Sequence, residues 1–347
     1  MSQGSTTLPP RSGARKPAKP KNQKPRKKRS VLKTLFVLFF GFLLLVAGGL
    51  AYLVFKTDGA IDQIGVDNNT VVIPAGESVK EKPVAILLMG LDSRARGGSL
   101  NTDVMMVATF NPNTKKATVV SIPRDSKIDV EGYRERKANA FYADFYSVGL
   151  RDGLDKDAAY ANAKQEVSKV MSKLFGIDVQ YAAVINFQGF ADVVDALGGV
   201  KVNVDKRMKY RDTADGTNID LQPGEQVLSG DQALDFVRYR KSNDGTNMSS
   251  DFERNERQSR VIGALTDKMK SLGGAARIGS VIEAVGNNLT MTMPSSEIKS
   301  MMTTYFGISG SDITFIPLEG NWHSPYVYLN EAKLEEARAA LKSKMAE

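Results

Sequence analysis

Three short apolar segments near the start of the main body predict three neighbouring β-strands. The segment VAILLMG, at positions 84–90, is continuously apolar and ends in glycine, a pattern that indicates a buried strand. DVMMVATF (103–110) and ATVVSIP (117–123) are two further strand-like segments, and the connection NPNTKK between them is short and rich in turn-forming residues. The second and third segments are therefore predicted to form an antiparallel hairpin.

Helical and strand-like patterns alternate along the rest of the chain. Apolar residues at helical spacing cover 156–176, 188–199, 229–239 and 250–274, and Ser250 or Asp251 can cap the last of these helices. VQYAAVINF and VKVNV lie between them as strands, and NEAKLEEARAALKSK predicts a surface helix near the C-terminus. This alternation predicts an α/β fold, a layered α-β-α domain with a mixed central sheet.

A longer apolar run precedes these elements. Residues 34–55 are 22 positions without a charge, and a helix of that length crosses the roughly 30 Å hydrocarbon core of a bilayer. A cleaved signal peptide usually has an apolar region of only about 7–15 residues, and a core helix is rarely apolar on every face. The basic flank on the N-terminal side predicts that this side is cytoplasmic. We therefore predict one transmembrane signal anchor with the body outside the cell membrane.

The charge of the chain is unevenly distributed. Of the 47 basic residues, 11 lie within residues 1–33, which contain no acid; the other 36 compare with 39 acidic residues. The body thus lacks a basic face for nucleic acid, and no nucleic-acid partner is expected. Without cysteine the chain forms no disulfide, which fits an extracytoplasmic body on a Gram-positive type of surface. The predicted division is a basic disordered cytoplasmic tail (1–33), the anchor (34–55), an extracytoplasmic stalk (56–82) and a folded domain (83–347).

Charged residues follow or open the first three predicted strands. Asp92 follows the first strand, Asp103 opens the second, and Arg124 follows the third. If all three strands are antiparallel, these residues meet at one rim of the sheet. Two carboxylates beside an arginine suit a site for Mg²⁺, or for Mn²⁺ in its place, and a phosphate. The alternative is that the aspartates only form turns.

A second concentration of charge lies in FVRYRKSNDGTNMSSDFERNERQSR, 236–260, which contains five arginines: Arg238, Arg240, Arg254, Arg257 and Arg260. On a helix, Asp251, Arg254 and Gln258 share a face. Arg238 and Arg240 share a side only if the chain between them is extended. A solvated helix face, with ion pairs to the neighbouring acids, would explain Arg254 and Arg257. It leaves Arg238 and Arg240 in their apolar setting unexplained, because buried charge needs a partner.

Six short motifs in order give a more specific indication. They are GLDSR, TDVMM, SIPRD, VVDALGGVKVNV, LSGDQALDFVRYR and DFERNERQ, and together they resemble the LytR-CpsA-Psr family. The resemblance runs from about 84 to about 271. The resemblance implies a catalytic domain over 83–347. It also implies a phosphotransferase that moves a glycopolymer, such as wall teichoic acid, from a polyprenyl-pyrophosphate carrier to the muramic acid 6-hydroxyl of peptidoglycan.

The resemblance also assigns residues. It implies Asp92 and Asp103 as magnesium ligands. The catalytic residues are expected to be Arg124, Arg238, Arg240 and Asp251. A set of residues that binds the pyrophosphate is implied as well. The members of the binding set are Arg124, Lys137, Arg238, Arg240, Arg254 and Gln258. The general base is left open between Asp125 and Asp251.

The family's pocket for the prenyl tail has candidates here whose spacing fits a packed core equally well: Phe141, Phe187, Phe190, Val193 and Val194. Two departures concern the site. The segment AFYADFYSVGLRDGLDKD is longer and more acidic than usual, which affects the acceptor side and Lys137. Asn101 replaces an arginine that often precedes the Thr-Asp motif in the family, so that its phosphate contact is either missing or supplied by Arg94 or Arg96.

Two alternative functions remain open at this stage. The same site with water as acceptor would be a hydrolase on the same lipid-linked substrate. A membrane-bound transcriptional attenuator is the alternative of a different class. The sequence contains no G-x-S-x-G, P-loop or H-E-x-x-H motif, and its one histidine, His323, lies in a loop-like segment. The identity of the glycopolymer is not readable from the sequence.

Overall fold

A computed structural model describes residues 59–66, 73–91, 100–213, 216–271, 277–286 and 288–347. All of them belong to one unit, Tyr52–Glu347. The predicted tail (1–33) and the predicted membrane helix (34–55) lie outside the described residues. Within the part of the chain that the structure describes, no helix is both long and apolar enough to cross a membrane.

The strands of the described residues are β1 (Val84–Leu91), β2 (Thr102–Asn111), β3 (Lys116–Ser121), β4 (Lys127–Ile128), β5 (Arg136–Lys137), β6 (Tyr181–Asn186), β7 (Val200–Val204), β8 (Met208–Arg211), β9 (Asn218–Leu221), β10 (Gly224–Leu228), β11 (Leu289–Met291), β12 (Ile313–Pro317), β13 (Gly320–His323) and β14 (Tyr326–Leu329). The helices are α1 (Phe141–Arg151), α2 (Lys156–Phe175), α3 (Phe187–Ala196), α4 (Gly230–Arg238), α5 (Asp251–Lys270), α6 (Ile278–Gly286), α7 (Ser295–Tyr305) and α8 (Glu331–Ala346).

A six-stranded mixed sheet lies at the centre, in the order β11–β6–β1–β2–β3–β12. Strands β1, β2 and β3 form an antiparallel series, which confirms the predicted hairpin. Strand β6 is parallel to β1, and β12 is parallel to β3. Strand β11 closes one edge, antiparallel to β6.

Helices cover both faces of this sheet. Successive residues of a strand point to opposite faces, so alternate residues of β1 pack against different helices. Ala85, Leu87 and Met89 of β1 pack in one cluster with residues of α1, α2 and α8. Val84 and Ile86, which alternate with them, pack in another cluster with residues of α6 and α7. The α/β fold with a mixed central sheet is thereby confirmed. Helix α8, predicted as a surface helix, buries one face in the first cluster.

A smaller layer lies beside the main sheet. Strand β7 pairs with β10, and β8 pairs with β9, in two antiparallel ribbons. Val200, Phe236 and Tyr239 are among the fully buried residues that join these ribbons to α4 and α5. This layer positions the two helices that carry most of the arginine-rich window.

The segment predicted as a stalk, 56–82, packs against the domain where the structure describes it. Ile61, Ile64 and Val79 are buried with residues of α6 and α7. The Glu297 carboxylate accepts hydrogen bonds from the Ser78 hydroxyl at 3.0 Å and from the Val79 backbone N–H at 2.7 Å. These residues therefore contribute to the core around α7.

Candidate active site

The predicted meeting of strand ends at one rim is present. Leu91, at the end of β1, pairs with Thr102 at the start of β2. The Ile122 N–H, just after β3, donates to the Met105 carbonyl at 2.9 Å. Asp103 and Arg124 therefore lie side by side at this rim, whereas Asp92 lies outside the described residues.

Four charged side chains form a continuous network at the rim. Arg124 Nη1 donates to Asp103 Oδ1 at 2.7 Å, and its Nε lies 3.4 Å from Asp125 Oδ2. Lys137 Nζ donates to Asp125 Oδ1 at 2.9 Å. Burial raises the pKa of Asp125, but the Lys137 hydrogen bond and the charges of Arg124 and Lys137 outweigh it, so the pKa lies below its usual value. Asp125 is thus ionised at neutral pH.

Arg240 and Arg254 belong to the same electrostatic cluster. Burial lowers the pKa of Arg240, and the positive charges of Arg124 and Arg238 lower it further, while Asp103 and Asp125 oppose them. The Arg240 residue is exposed on the surface, but neighbouring protein atoms remove part of the water around its guanidinium and so disfavour the charged form. For Arg254, burial followed by the charges of Arg240 and Arg124 lowers the pKa to about 10. Among the described side chains, several cations thus surround the Asp103 and Asp125 carboxylates, an arrangement that favours a bound anion.

Arg238 and Arg240 flank the point where helix α4 ends. Arg238 is its last residue, and Tyr239 adopts an extended conformation with φ −57° and ψ 130°. The Tyr239 ring is fully buried, and its hydroxyl lies 2.8 Å from the Ser242 hydroxyl. The Arg238 guanidinium lies over the Phe187 ring, 4.4 Å from its centroid. VRYR is therefore not extended throughout, since Val237 and Arg238 belong to the helix and the chain leaves it at Tyr239. The shared side of the two arginines stays a prediction.

Helix α5 carries the next part of the site in its first two turns. Its N-cap is Ser250, one of the two predicted caps, and the Ser250 N–H donates to the Glu253 carboxylate at 2.7 Å in a capping box. Asp251, Arg254 and Gln258 all lie within this helix, so the spacing that places them on one face applies. The positive end of the helix dipole also favours an anion here.

Arg257 and Arg260 do not belong to this cluster. Arg257 is fully buried, and its Nε and Nη2 donate to the two Asp205 carboxylate oxygens at 2.8 and 2.7 Å. The explanation of Arg257 by a solvated helix face was wrong, because its partner comes from the end of β7. Arg260 Nη2 lies 2.6 Å from the Glu256 carboxylate, one turn away on the same helix. This is the kind of ion pair that a solvated helix face predicts. The five arginines of the window thus have two different kinds of surroundings.

Comparison with known proteins places these residues in a family, since the model of the LytR_cpsA_psr family matches residues 56–343. The chain belongs to the LytR-CpsA-Psr family. Its similar proteins include the polyisoprenyl-teichoic acid–peptidoglycan teichoic acid transferase TagT of Bacillus subtilis (strain 168), 29% identical over 345 residues, which are 93% of this chain and 98% of TagT. The transferase TagU of Oceanobacillus iheyensis is 30% identical over 286 residues, covering 80% of this chain and 82% of TagU.

A solved structure of TagT bound to LI-WTA has a TM-score of 0.55 at 26% identity, and the match covers 80% of this chain and 100% of that one. With relatives of this kind, the LytR-CpsA-Psr protein described here is a transferase. Its motifs surround the rim: TDVMM opens β2, SIPRD ends β3, and DFERNERQ forms the start of α5. The motif GLDSR extends beyond Leu91 into residues that the structure does not describe.

The predicted metal site of this LytR-CpsA-Psr protein lies only partly within the described residues, because Asp92 is outside them. Among the described residues, no three carboxylate or imidazole side chains form a metal-binding group. Asp103 has a partly exposed carboxylate, and one of its oxygens accepts from Arg124. A hard oxygen ligand with access to water suits Mg²⁺, which often binds one or two carboxylates and completes its shell with water and phosphate oxygens. The chemistry of Asp103 is compatible with the predicted role, and the metal-binding roles of Asp103 and Asp92 both stay predictions.

Two aspects of the site were not anticipated from the sequence. The Trp322 ring lies next to Lys137, with Nζ 5.6 Å from the ring centroid, although the two residues are far apart in sequence. The only available signal was that Trp322 is the single tryptophan of the chain. Of the prenyl-pocket candidates, Phe141 and Val194 are buried in separate clusters of the core, whereas Phe187 contacts Arg238.

Proposed function

We propose that this transferase moves a glycopolymer, such as a teichoic acid, from a polyprenyl-pyrophosphate carrier to the muramic acid 6-hydroxyl of peptidoglycan. The observation that supports it most directly is the cluster of Arg124, Arg238, Arg240 and Arg254 around the rim of the sheet. The names of the relatives supply the substrate class.

The arginine cluster would bind the pyrophosphate of the carrier. Guanidinium groups present two parallel N–H donors that match phosphate oxygens, and they remain charged when partly buried. The pKa of Arg254, about 10, still leaves it protonated at neutral pH. Fixed cations at the transferring phosphorus stabilise the charge that develops on its oxygens, and one such arginine can contribute roughly 10³-fold or more to the rate.

Mg²⁺ bound by Asp103, and by Asp92 as predicted, would polarise a phosphate oxygen. Among the two candidate bases, Asp125 is described with its side chain and is ionised, which a base requires. Its two oxygens contact Arg124 and Lys137, so that a hydroxyl near Asp125 also lies near the proposed phosphate site. Only the backbone of Asp251 is described, and its role stays open.

We also propose that the body faces the cell wall, anchored in the cell membrane by residues 34–55. Both substrates of the proposed reaction are accessible there, because the polyprenyl carrier is a membrane lipid and peptidoglycan lies outside the membrane. This placement rests on the sequence of the anchor and its basic flank.

The proposal is tested with the full chain in detergent, a short prenyl-pyrophosphate-linked disaccharide, peptidoglycan fragments and Mg²⁺. Release of prenyl phosphate and labelling of peptidoglycan are followed together. We expect both products, their loss in EDTA with recovery on adding Mg²⁺, and their loss in Arg238→Ala. Arg260→Ala is the matched control, since Arg260 comes from the same window but pairs with Glu256 on the helix surface.

Each other outcome has a defined meaning. Prenyl phosphate without labelled peptidoglycan would make the protein a hydrolase of the same substrate. Binding of the prenyl-pyrophosphate without any release would support a regulatory module that senses the lipid. Equal loss of activity in Arg238→Ala and Arg260→Ala would contradict the assignment of the site.

A further inference from the structure

An exposed aromatic ring borders the lysine end of the active site. Trp322 belongs to β13, in the hairpin of β13 and β14, and its side chain is 56% exposed. The ring therefore presents a large apolar face to solvent beside the site. Its described polar contact is the cation–π contact with Lys137.

The backbone fixes this hairpin to the site. The Val327 N–H of β14 donates to the carbonyl of Asp125 at 2.9 Å, and Ser126 forms a parallel bridge with Val327. Val327 is buried, so the hairpin is attached to the domain through β14, whereas Trp322 of the neighbouring strand β13 is exposed. The position of Trp322 relative to the Asp125 carboxylate is therefore determined by the fold, with one lysine side chain between them.

We propose that Trp322 binds a sugar ring of the acceptor glycan strand and so places the acceptor hydroxyl next to Asp125. The C–H groups on one face of a pyranose carry partial positive charge and pack against the negative face of an aromatic ring. The proposal rests on the proposed function and adds to it a binding residue for the acceptor.

The acceptor, rather than the glycan of the donor, is favoured by the order of residues along the site. Phe187 and Arg238 lie at one end, and Arg240 and Arg254 interact with Arg124, Asp103 and Asp125. Lys137 and Trp322 lie at the other end, beyond Asp125.

The donor pyrophosphate occupies the arginines in the proposed function. The acceptor hydroxyl has to reach the base, so its ring lies at the Asp125 end. A glycan strand of the cell wall is a polymer and can reach only an open surface. The exposed ring of Trp322 lies on such a surface.

Trp322 gives a direct optical signal for the test, because it is the single tryptophan of the chain. The full chain in detergent is titrated with soluble glycan fragments of alternating N-acetylglucosamine and N-acetylmuramic acid, without donor. We expect a saturable blue shift of the tryptophan emission. In a parallel titration, the prenyl-pyrophosphate-linked disaccharide alone is expected to leave the emission unchanged.

Steady-state kinetics then shows whether Trp322 binds the acceptor or only orients Lys137. We expect Trp322→Ala to raise the KM for the acceptor roughly tenfold, which corresponds to about 1.4 kcal/mol, with kcat and the donor KM unchanged. Trp322→Phe keeps an aromatic face and should recover most of the affinity. Phe306→Ala is the matched control. Phe306 is also an exposed aromatic residue, and it follows Tyr305, whose ring contacts Phe110 near the end of β2 that lies away from the site.

The outcomes distinguish this inference from the function on which it rests. Transfer by the wild type without any emission shift overturns the inference alone. A shift caused by the donor disaccharide overturns it as well, because the ring would then serve the donor. A drop in kcat of Trp322→Ala with an unchanged acceptor KM would show that the ring only orients Lys137. An emission shift with glycan fragments in a wild-type protein that transfers nothing would contradict the proposed function. The binding of sugar by Trp322 would still be supported.

Discussion

Arg254 and Arg257 are three residues apart on helix α5, and their environments differ completely. Arg254 lies among the charges of the site, whereas Arg257 is buried against Asp205. Arg124 could be placed from the sequence, because it follows a predicted strand and the strand order fixes its neighbours. The partner of Arg257 could not, because Asp205 is distant in sequence and belongs to the smaller layer. Local spacing therefore predicts which face of the helix a residue occupies, but not what lies opposite.

A lysine at position 254 should be a poor substitute. Arg254→Lys keeps the charge but loses the planar pair of donors, and we expect kcat/KM for transfer to fall roughly 10²-fold or more. Arg260→Lys, two turns further along the same helix, should leave it within about twofold, because exposed pairs such as Arg260–Glu256 contribute little. Steady-state kinetics with both variants checks this; equal effects would contradict it.

Removing Arg257 should instead lower stability. Arg257→Ala leaves the Asp205 carboxylate without its bidentate partner, and we expect the free energy of unfolding to fall by about 3–5 kcal/mol. Arg260→Ala should change it by less than about 0.5 kcal/mol. Urea titrations at pH 7 measure both values, and an Arg257→Ala protein as stable as the wild type would exclude a structural role for the pair.

The same pair has a defined pH dependence. Burial raises the pKa of Asp205, but the hydrogen bond and charge of Arg257 outweigh it, and the pKa lies below its usual value. A carboxyl of this kind stabilises the fold above its unfolded pKa of about 3.9, and the stabilisation is lost as the pH falls through the folded value. The wild type should therefore lose more stability than Arg257→Ala between pH 5 and pH 3, in urea titrations at both pH values.

At the scale of elements, the bounds of several helices and strands could be predicted from the sequence. Helix α2 was expected at 156–176 and spans Lys156–Phe175, and β7 coincides with VKVNV. These elements carry their own periodicity and end at glycine or turn residues. The pairing of β12 with β3, and of β7 with β10, was not predictable, because strands far apart in sequence pair through contacts that no local pattern contains.

The contact of α3 with α4 gives a test at this scale. A Cβ at Gly230, the first residue of α4, would lie 2.2 Å from the carbonyl oxygen of Ala191 in α3. Gly230→Ala should therefore push these helices apart, and with them Phe187 and Arg238 at the site. We expect a loss of about 1–3 kcal/mol in stability, with a raised KM for the donor.

Gly263→Ala is the matched control for this substitution. Gly263 lies in helix α5, and a Cβ there meets nothing within 4 Å. Because alanine favours a helix over glycine, we expect Gly263→Ala to stabilise the protein by up to about 1 kcal/mol without changing the kinetics. Thermal unfolding and donor titration of the two variants give the comparison; similar donor KM values would contradict the importance of the α3–α4 contact.

For the whole molecule, the predictions concern the distribution of charge. The basic excess lies in residues 1–33, and the remainder is slightly acidic. The predicted order of tail, anchor and body follows from sequence alone, since the tail and the anchor lie outside the described residues. By contrast, the contacts of Ile61 and Ile64 with the domain required coordinates, because the segment that contains them has no clear periodicity.

Protease accessibility checks this topology. In cells stripped of their wall, a protease added outside should degrade an epitope inserted at the C-terminus of the chain and leave an N-terminal epitope intact, since the positive flank is retained in the cytoplasm. Permeabilised cells, in which both epitopes are accessible, are the control. Protection of the C-terminal epitope in unpermeabilised cells would contradict the predicted orientation.

The hydrogen bond between Asp103 and Arg124 has a consequence for the order of events in catalysis. Asp103, whose Oδ1 accepts from Arg124, is also a predicted ligand of the metal, so that a cation bound by this carboxylate would compete with the guanidinium. An arginine released from its internal partner is then available to the incoming pyrophosphate. The two ligands would therefore assist each other's binding, and by thermodynamic reciprocity the factor by which the cation tightens pyrophosphate binding equals the factor by which pyrophosphate tightens cation binding. Such cooperativity would keep Arg124 paired with Asp103 until the cation and the pyrophosphate bind together.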